Sequence, residues 1–371
     1  MMTFDVAIVG AGIVGAACAA SLSRSGLSVV VIDATGIGTA TTAAGMGHIV
    51  VMDDSEAQFA LTRYSQTLWN KLAPELPASS EFDRCGSIWV AADDDEMVEA
   101  ARKNEFYRSH GINSELLDQT SLQQAEPNLR EGLAGGLLVR GDSVVYQLCA
   151  TNFLIDKALR KGTVLNVGNR VTEISDNGVF LENGDMINAG KVVNAAGVHA
   201  AGLSPGLKIA KRKGHLIITD RYPNFARHQL IELGYLKSAH GTGSESVAFN
   251  LQPRSTGQIL LGSSRQFGAD NSEIDHTILR QMTSRAFEYM PALRKLSAVR
   301  VWTGDRPATP DNLPYIGKMP GYTNVYIAAG HEGLGITTSL GTAELIADAI
   351  LGNESAIPMG PYSPSRTLPE H

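Results

Sequence analysis

The sequence is poor in the groups that hold metals. It has three cysteines, Cys18, Cys85 and Cys149, far apart and with no CxxC among them. They cannot by themselves supply a four-thiolate iron–sulfur cluster or a conventional zinc site. Cys18 lies among alanines and reads as a small core residue. The nine histidines show no HExxH and no paired-ligand spacing, so no metal is expected. Basic charge is also short: 31 Lys and Arg against 38 Asp and Glu give a formal net charge of −7. With no basic run and no basic patch interleaved with aromatics, nucleic acid is not expected as a partner. No apolar stretch reaches the roughly 18 residues of a membrane helix. The first strand-like run starts near residue 4, without room ahead of it for a charged and then apolar leader, so a cytoplasmic location is expected. Repeats are missing too. What remains, 371 residues at 43% hydrophobic content, is enough for two domains, each with its own core.

Glycine is plentiful, and its placing is informative. The chain opens on FDVAIVGAGIVGAACAASLSRSGLSVVVIDATG. Asp5–Val9 is β-branched and apolar, like a strand covered on both faces. Ile13 to Ser25 turns helical, with small residues that let a helix lie close to a sheet, and Val29–Ile32 reads as a second buried strand. Strand, Gly10, Gly12 and Gly15, helix, strand, then an acid make up the dinucleotide-binding fingerprint in its required context. Gly10 allows the tight turn, Gly12 a close approach of backbone to pyrophosphate, and Gly15 close packing of helix on strand. Ile13 and Val14 open a helix whose N-terminal N–H groups favour phosphate. Asp33, followed by Ala34, can accept hydrogen bonds from both ribose hydroxyls, which argues against a 2′-phosphate. The residues alone leave FAD and NAD open.

After the fingerprint comes a small, glycine-rich stretch, TGIGTATTAAGMGHIVVM, and then a helical segment from about Ser55 to Leu72. Gly86–Glu96 reads as a strand, Met97–Ser109 as an amphipathic helix, Leu117–Glu126 as a short helix and Val144–Lys161 as another. Val164–Val167 and Asn169–Ile174 read as strands, and Asn183-Gly184 as a hairpin turn. Lys191–Ala200 is a further buried strand. Alternating strands (His215–Thr219, Val247–Leu251, Gln258–Gly262) and a helix over Ile274–Tyr289 follow. Val325–Ala328 is a strand, a glycine loop comes next, and Leu340–Leu351 is a helix. The tail PYSPSRTLPEH is expected to be loose. Nucleotide-type pieces at the start, middle and end, with β-rich inserts between, give an interleaved chain. The expected class is α/β. A Rossmann-type, glutathione-reductase-like FAD-binding domain takes residues 1–84, 141–208 and 299–371. An α+β substrate domain on a mostly antiparallel sheet takes 85–140 and 209–298.

Three segments together, VAIVGAGIVGAACA, VVNAAGVHA, and RPATPDNLPYIG followed by NVYIAAGHEGLGITTSLGTAELIADAI, resemble the D-amino-acid oxidase superfamily over nearly the full length. That superfamily includes glycine oxidase, sarcosine oxidase and D-amino-acid dehydrogenases. The resemblance implies FAD rather than NAD, and oxidation of a small amino or imino acid by hydride transfer to flavin N5, giving an imine. It places Thr41 and Thr42 against the pyrophosphate, with Ala43, Ala44, Gly45 and Met46 making room for the isoalloxazine. Val171 is expected to lay its backbone against adenine, and Ala196-Gly197 to pass close to the dinucleotide. In GHEGLGITT, Gly330, Glu332, Gly333, Leu334, Gly335, Ile336 and Thr337 are expected to bring a helix N-terminus to the flavin, where its dipole favours the charge of reduction. Arg306 is expected to fork onto the substrate carboxylate, a structural ion pair with Asp305 or Asp311 being the alternative. His48 and His331 are candidates for touching the flavin or tuning amine protonation, since imidazole titrates near working pH; an ordinary hydrogen-bonded loop histidine is the alternative for His48, and a backbone-positioning role is favoured over proton transfer for His331.

The departures from the family pattern matter. Asn250 stands near a position where glycine-oxidase-like sequences carry a tyrosine, and Glu332 and Leu334 replace a second arginine. Tyr146-Gln147 replaces an Asp-Pro. No cysteine follows Cys149, so no C-terminal cysteinyl link can form and FAD is expected to be non-covalent. Length and loops look most like the catalytic β subunits of heteromeric enzymes such as D-hydroxyproline dehydrogenase, octopine and nopaline oxidases and sarcosine oxidase. The likeness implies partner subunits carrying an iron–sulfur cluster and a second flavin, and a D-hydroxyproline or D-proline type of substrate. A flavin-dependent 2-hydroxy-acid dehydrogenase, a glycine or sarcosine oxidase, and a non-catalytic flavin-binding subunit are the other readings.

Overall fold

The N-terminal run folds as its pattern demands: Thr3–Val9 is a strand with Val6 to Val9 buried, Ile13–Arg24 a helix and Val29–Asp33 a second buried strand. In the computed structural model, residues 3–234, 245–268 and 271–368 are described. They fall into two compact units. One comprises Met1–Ser80, Tyr146–Lys211 and Asp305–His371, the other Glu81–Val145 and Arg212–Gly304.

The first unit is an α/β layer structure. Its sheet runs in the order Tyr315–Lys318, Val325–Ala329, Met186–Asn194, Thr3–Val9, Val29–Asp33, Val164–Val167. The pairings among the last five strands are parallel. Parallel strands need both faces covered, and apolar side chains such as Ala7, Val30, Ile32, Val192 and Ile327 fill one cluster against them. The helix Ile13–Arg24 packs against Gln147–Leu159 and Gly335–Leu351, and the last of these against Glu56–Leu72. The strand expected from Lys191 starts earlier, just after the Asn183-Gly184 turn, as the nine-residue Met186–Asn194. It pairs antiparallel with Gly178–Leu181 at its start and parallel with Thr3–Val9 along its length.

The second unit is α+β. Its eight-stranded sheet is antiparallel where Ala210–Thr219, Ile259–Phe267, Glu245–Pro253 and Gln229–Glu232 adjoin. The join of Gln229–Glu232 to Ser87–Ala91 is parallel. The helix His276–Tyr289 lies on this sheet, with Tyr289 stacked on Phe249 at 5.0 Å between ring centroids.

Several elements differ from expectation: the strand expected to run to Ala200 ends at Asn194, and Leu117 and Asp118 close the strand Ser114–Asp118 ahead of the helix Gln119–Ala125. The run from Gly86 stops being a strand at Ala91, because Asp93 accepts a hydrogen bond from the Glu96 N–H and starts the helix Asp94–Ser109, as N-cap carboxylates do. The C-terminal helix begins at Gly335, five residues before Leu340. The tail is not loose as far as it is described. Tyr362 is buried and donates to the Ala57 carbonyl at 2.6 Å, and Arg366 forks onto Asp311 at 2.7 and 2.9 Å. Residues 369–371 lie outside the described residues. Among the described residues no helix is long and apolar enough to cross a membrane.

Candidate functional site

The candidate site residues all belong to the first unit. At its N-terminal turn Gly10 has φ +108°, a conformation L side chains rarely adopt. A Cβ there would sit 2.5 Å from the Ala195 carbonyl oxygen, and one on Gly15 would sit 1.9 Å from that of Gly10. Gly15 thus makes room for the turn itself. The helix starts at Gly12 with no capping side chain on that residue. Instead Thr42 Oγ1 accepts the Ile13 N–H at 3.1 Å, which leaves the Thr42 hydroxyl hydrogen to donate outward. The Thr41 hydroxyl donates to the Asp305 carbonyl at 2.8 Å, so its hydroxyl is engaged within the protein. Ala34 and Val14 are half-buried, and Ile13 is buried.

Asp33 does more than expected. One of its oxygens accepts from the Thr35 and Gly36 N–H groups at 2.8 and 2.9 Å and from the Thr35 hydroxyl, and the other from the Ala11 N–H at 2.8 Å. A carboxylate offers about four lone-pair directions. Four donors of the protein thus already hold the two oxygens in place at the end of the strand.

Behind the strand Met186–Asn194 the buried Asn194 shapes the next turn. Its Nδ2 donates to Ala200 O and Ser204 Oγ, each at 2.9 Å, and its Oδ1 accepts the Ala196 N–H at 3.2 Å. Gly197 follows at φ +56°, and a Cβ there would meet nothing within 4 Å. Val171 opens the strand Val171–Ser175 and is buried.

A second group of residues gathers at the start of the helix Gly335–Leu351. Thr41–Ala44 is one short helical turn, with Ala43 and Ala44 half-buried. A Cβ on Gly45 would lie 2.8 Å from Ile336 Cδ1, and the Gly45 carbonyl accepts from Gln147 Nε2 at 2.7 Å. Met46 is buried. Thr337 Oγ1 donates to the His48 carbonyl at 2.9 Å. Trp69 Nε1 donates to the Ile336 and Thr337 carbonyls at 3.2 and 3.0 Å. The helix's N-cap, Leu334, has no capping side-chain bond, so first-turn N–H groups are open to an acceptor from outside. Glu332 takes φ +49°, a strained choice for a residue with a side chain. Its N–H donates to Pro307 O at 2.9 Å, and its carboxylate accepts the Gly333 N–H. Gly330 precedes it at φ +85°.

Arg306 lies half-buried near the end of the strand Ala298–Ala308, 3.7 Å through Cδ and Nε from where a Gly333 Cβ would be. Of the two carboxylates considered as its partners, Asp311 is forked by Arg366 and Asp305 faces Lys211 Nζ at 3.9 Å. His48 contacts the Gly333 backbone; burial, and then the Arg306 charge, hold its pKa down to about 4. His331 is buried, with Nε2 3.0 Å from Thr342 Oγ1, and burial pushes its pKa down to about 3. Both imidazoles are thus held neutral near pH 7, which speaks against proton transfer at His48 and agrees with the positioning role favoured for His331. His331 in particular turns its ring nitrogen to the helix, where it can order the loop but not exchange protons at physiological pH.

The tight glycine turn and the uncapped helix N-termini suit an adenine dinucleotide, since they offer backbone amides to its phosphates. Known proteins supply the decisive comparison. The family described as DAO, FAD dependent oxidoreductase, matches residues 5–349. The chain belongs to this family. It is 28% identical over 380 residues to a glycine oxidase of Geobacillus kaustophilus, covering 98% of this chain and 97% of that one. It is 24% identical to one of the subunits of an opine oxidase of Rhizobium meliloti, covering 99% and 98%. The crystal structure of the Geobacillus glycine oxidase superposes with a TM-score of 0.89 at 26% identity, with all of both chains covered. That of L-proline dehydrogenase from P. horikoshii gives 0.86 at 25% identity, covering 97% of this chain and 96% of that one. FAD is the cofactor of this oxidoreductase family, and the chain is a flavoenzyme of the amino-acid oxidase and dehydrogenase type.

The residues that hold the second group together carry little signal in the sequence. Gln147 stands out there only as a departure from an Asp-Pro pair, and its role on Gly45 needs the fold. Trp69 carries no signal beyond its place in an amphipathic helix. Asn194 stands in plain view in VVNAAG, where a polar side chain ends a buried strand.

Proposed function

We propose that this flavoenzyme dehydrogenates the C–N bond of a small amino or imino acid to an imine. The observation that supports this most is the half-buried guanidinium-bearing Arg306 lying beside Gly333, next to the start of the helix Gly335–Leu351. A guanidinium so placed suits a planar carboxylate bidentately and keeps its charge when partly dried.

FAD, when bound, supplies the hydride acceptor. Gly10, Gly12 and Gly15 with Ile13, Val14 and Thr42 would hold its pyrophosphate, Asp33 and Ala34 a ribose hydroxyl, and Val171, Ala196 and Gly197 the adenosine side. Ala43, Ala44, Gly45 and Met46, with the loop from Gly330 through Glu332, Gly333 and Leu334 to Gly335, Ile336 and Thr337, would border the ring. Arg306 pins the substrate's acid group and so fixes which face of the α-carbon presents its hydrogen. Positioning of this kind supplies much of a rate. The amine must be neutral: its lone pair becomes the second bond of C=N as the hydride leaves, and the product gives up an N–H proton to solvent if it had one.

Within that class we favour a cyclic imino acid of the D-proline or D-hydroxyproline type. The likeness to L-proline dehydrogenase supports a ring substrate, and the likeness to an opine oxidase subunit supports partner subunits as electron acceptors. Anaerobic mixing of the flavin-loaded protein with D-proline, D-hydroxyproline, glycine, sarcosine and the matching 2-hydroxy acids tests the reading. Bleaching by an amino or imino acid is expected; bleaching by hydroxy acids alone would overturn it. Arg306→Ala should raise KM at least about a hundredfold, the loss of a charge-assisted fork of about 3 kcal/mol, and Arg306→Lys should recover part of it.

A further inference from the structure

A long side chain magnifies any rotation of the backbone that bears it, and a binding constellation tolerates errors of only about 0.5 Å. Arg306 is therefore only as useful as its backbone is fixed, and three restraints act there. The peptide unit ahead of it, made of the Asp305 carbonyl and the Arg306 N–H, is planar, and that carbonyl accepts the Thr41 hydroxyl at 2.8 Å. The residue after it is Pro307, whose ring disfavours the helical region for Arg306, in keeping with its place in the strand Ala298–Ala308. The Pro307 carbonyl in turn accepts the Glu332 N–H at 2.9 Å. Proline acts here through covalent geometry and Glu332 through its backbone. Of the three, only the Thr41 bond is made by a side chain. Thr41 opens the short turn Thr41–Ala44 and is 264 residues from Asp305 in the chain, so its bond ties the arginine's strand to the segment that follows the glycine fingerprint.

We propose that Thr41 is a positioning residue for Arg306: its hydroxyl fixes the peptide unit ahead of the arginine, so that the guanidinium meets the substrate carboxylate with both of its N–H arms. This rests on the reading of Arg306 given above. The same bond takes the hydroxyl away from the pyrophosphate, where the family resemblance had placed it. A hydroxyl has one hydrogen to donate, and an ionised pyrophosphate can only accept. With that hydrogen on Asp305, the Thr41 side chain has nothing left to give a phosphate. Thr42 beside it is in the opposite position, since its Oγ1 accepts the Ile13 N–H at 3.1 Å and keeps its own hydrogen. The two threonines divide the work: Thr42 faces the cofactor's cradle, and Thr41 holds the strand that carries the substrate's anchor. A valine at position 41 has nearly the same shape but no donor, and it leaves the Asp305–Arg306 peptide free to turn.

The test reads two dissociation constants on one set of variants of the flavin-loaded protein: that of FAD, by ultrafiltration, and that of furan-2-carboxylate, a flat acid, from flavin difference spectra. Thr41→Val should weaken furan-2-carboxylate about fivefold, the usual worth of one hydrogen bond. It should leave the FAD constant within about twofold of wild type. Thr41→Ser, which keeps the hydroxyl, should bind the acid as the wild type does. A Thr41→Val protein that binds the acid like wild type overturns the assignment. So does one that loses FAD by about tenfold or more, since the hydroxyl would then serve the phosphates or the turn as a whole. A Thr41→Ser protein as weak for the acid as Thr41→Val also overturns it, because shape and not the donor would be what counts. Arg306→Ala should lose the acid and keep FAD. If it binds the acid as the wild type does, the reading of Arg306 fails instead.

Discussion

Acid should weaken the first unit through His331, and the size of the effect follows from its burial. The ring is buried among neutral groups and its pKa falls from an ordinary 6.5 to about 3. The folded state thus refuses a proton that the unfolded chain accepts. Above pH 6.5 neither state binds it and the full stability is present. As pH falls from 6.5 toward 3 the unfolded state alone is protonated, and stability is lost at about 1.4 kcal/mol per pH unit. Between pH 7 and pH 5 the loss due to this ring comes to about 2 kcal/mol. His48, also held low, adds a loss of the same sign, so the His331 share has to be isolated by subtraction. Trp69 lies in the first unit, Trp89 and Trp302 in the second. A Trp89→Phe, Trp302→Phe background therefore reports urea unfolding of the first unit alone. In that background, with saturating FAD, His331→Gln keeps a donor for Thr342 but cannot titrate. The parent should lose about 2 kcal/mol more than the variant on going from pH 7 to pH 5. Equal losses in the two proteins would mean that the ring is either solvated or charged in the native state, and the placement argued for it would fail.

Gly15→Ala should cost the protein its cofactor: a methyl 1.9 Å from the Gly10 carbonyl oxygen forces the helix away from the turn. Flavin absorbance per protein should drop at least about tenfold, since overpacking costs about 1–3 kcal/mol, whereas Gly26→Ala, with open space around it, should keep its flavin; full flavin in Gly15→Ala would refute the cradle. For the reaction, kcat/KM should climb with a slope of about one per pH unit toward the substrate amine's own pKa. It should show no break near 6.5, because His48 is already neutral above about 4. A break near 6.5 that vanishes in His48→Gln would make His48 a proton carrier and refute its being held neutral.

The parts of the fold that were legible are those where one local pattern decides the outcome. The glycine turn, the helix of small residues and the two buried strands could be read because Gly10 and Gly15 tolerate no side chain and the flanking runs tolerate no polar one. Boundaries set by caps were harder. The aspartates after Ala91 look like a strand's polar end until Asp93 is seen capping the next helix, and the GHEGLG loop hides that Gly335 is already helical. Long-range partners could not be read at all. Nothing near Tyr362 in the chain says that it reaches Ala57, or near Arg366 that it closes on Asp311, and a run of Pro, Ser and Arg reads as a loose end without them. At the candidate site the same division holds. The glycines stood out through their type and order and Arg306 through the family resemblance, while the shifts of His48 and His331 depend on neighbours that only the fold supplies.

That division has a physical reason, which bears on why the family is plain and the substrate is not. The cofactor side is built from backbone: amides, carbonyls and the absence of Cβ atoms at Gly10, Gly15 and Gly45. Such a surface constrains residue type strictly, because glycine has no substitute where a Cβ would enter another residue's van der Waals radius. The substrate side proposed above is built from side chains, Arg306 in the strand Ala298–Ala308 above all. Each rests on backbone contacts that many residue types would accept, and the Pro307–Glu332 bond does not care what the side chain of residue 332 is. Chemistry there can change while the frame stays. An arginine can fork onto an acid group, as proposed for Arg306; only the donors and acceptors arranged around it can say which acid.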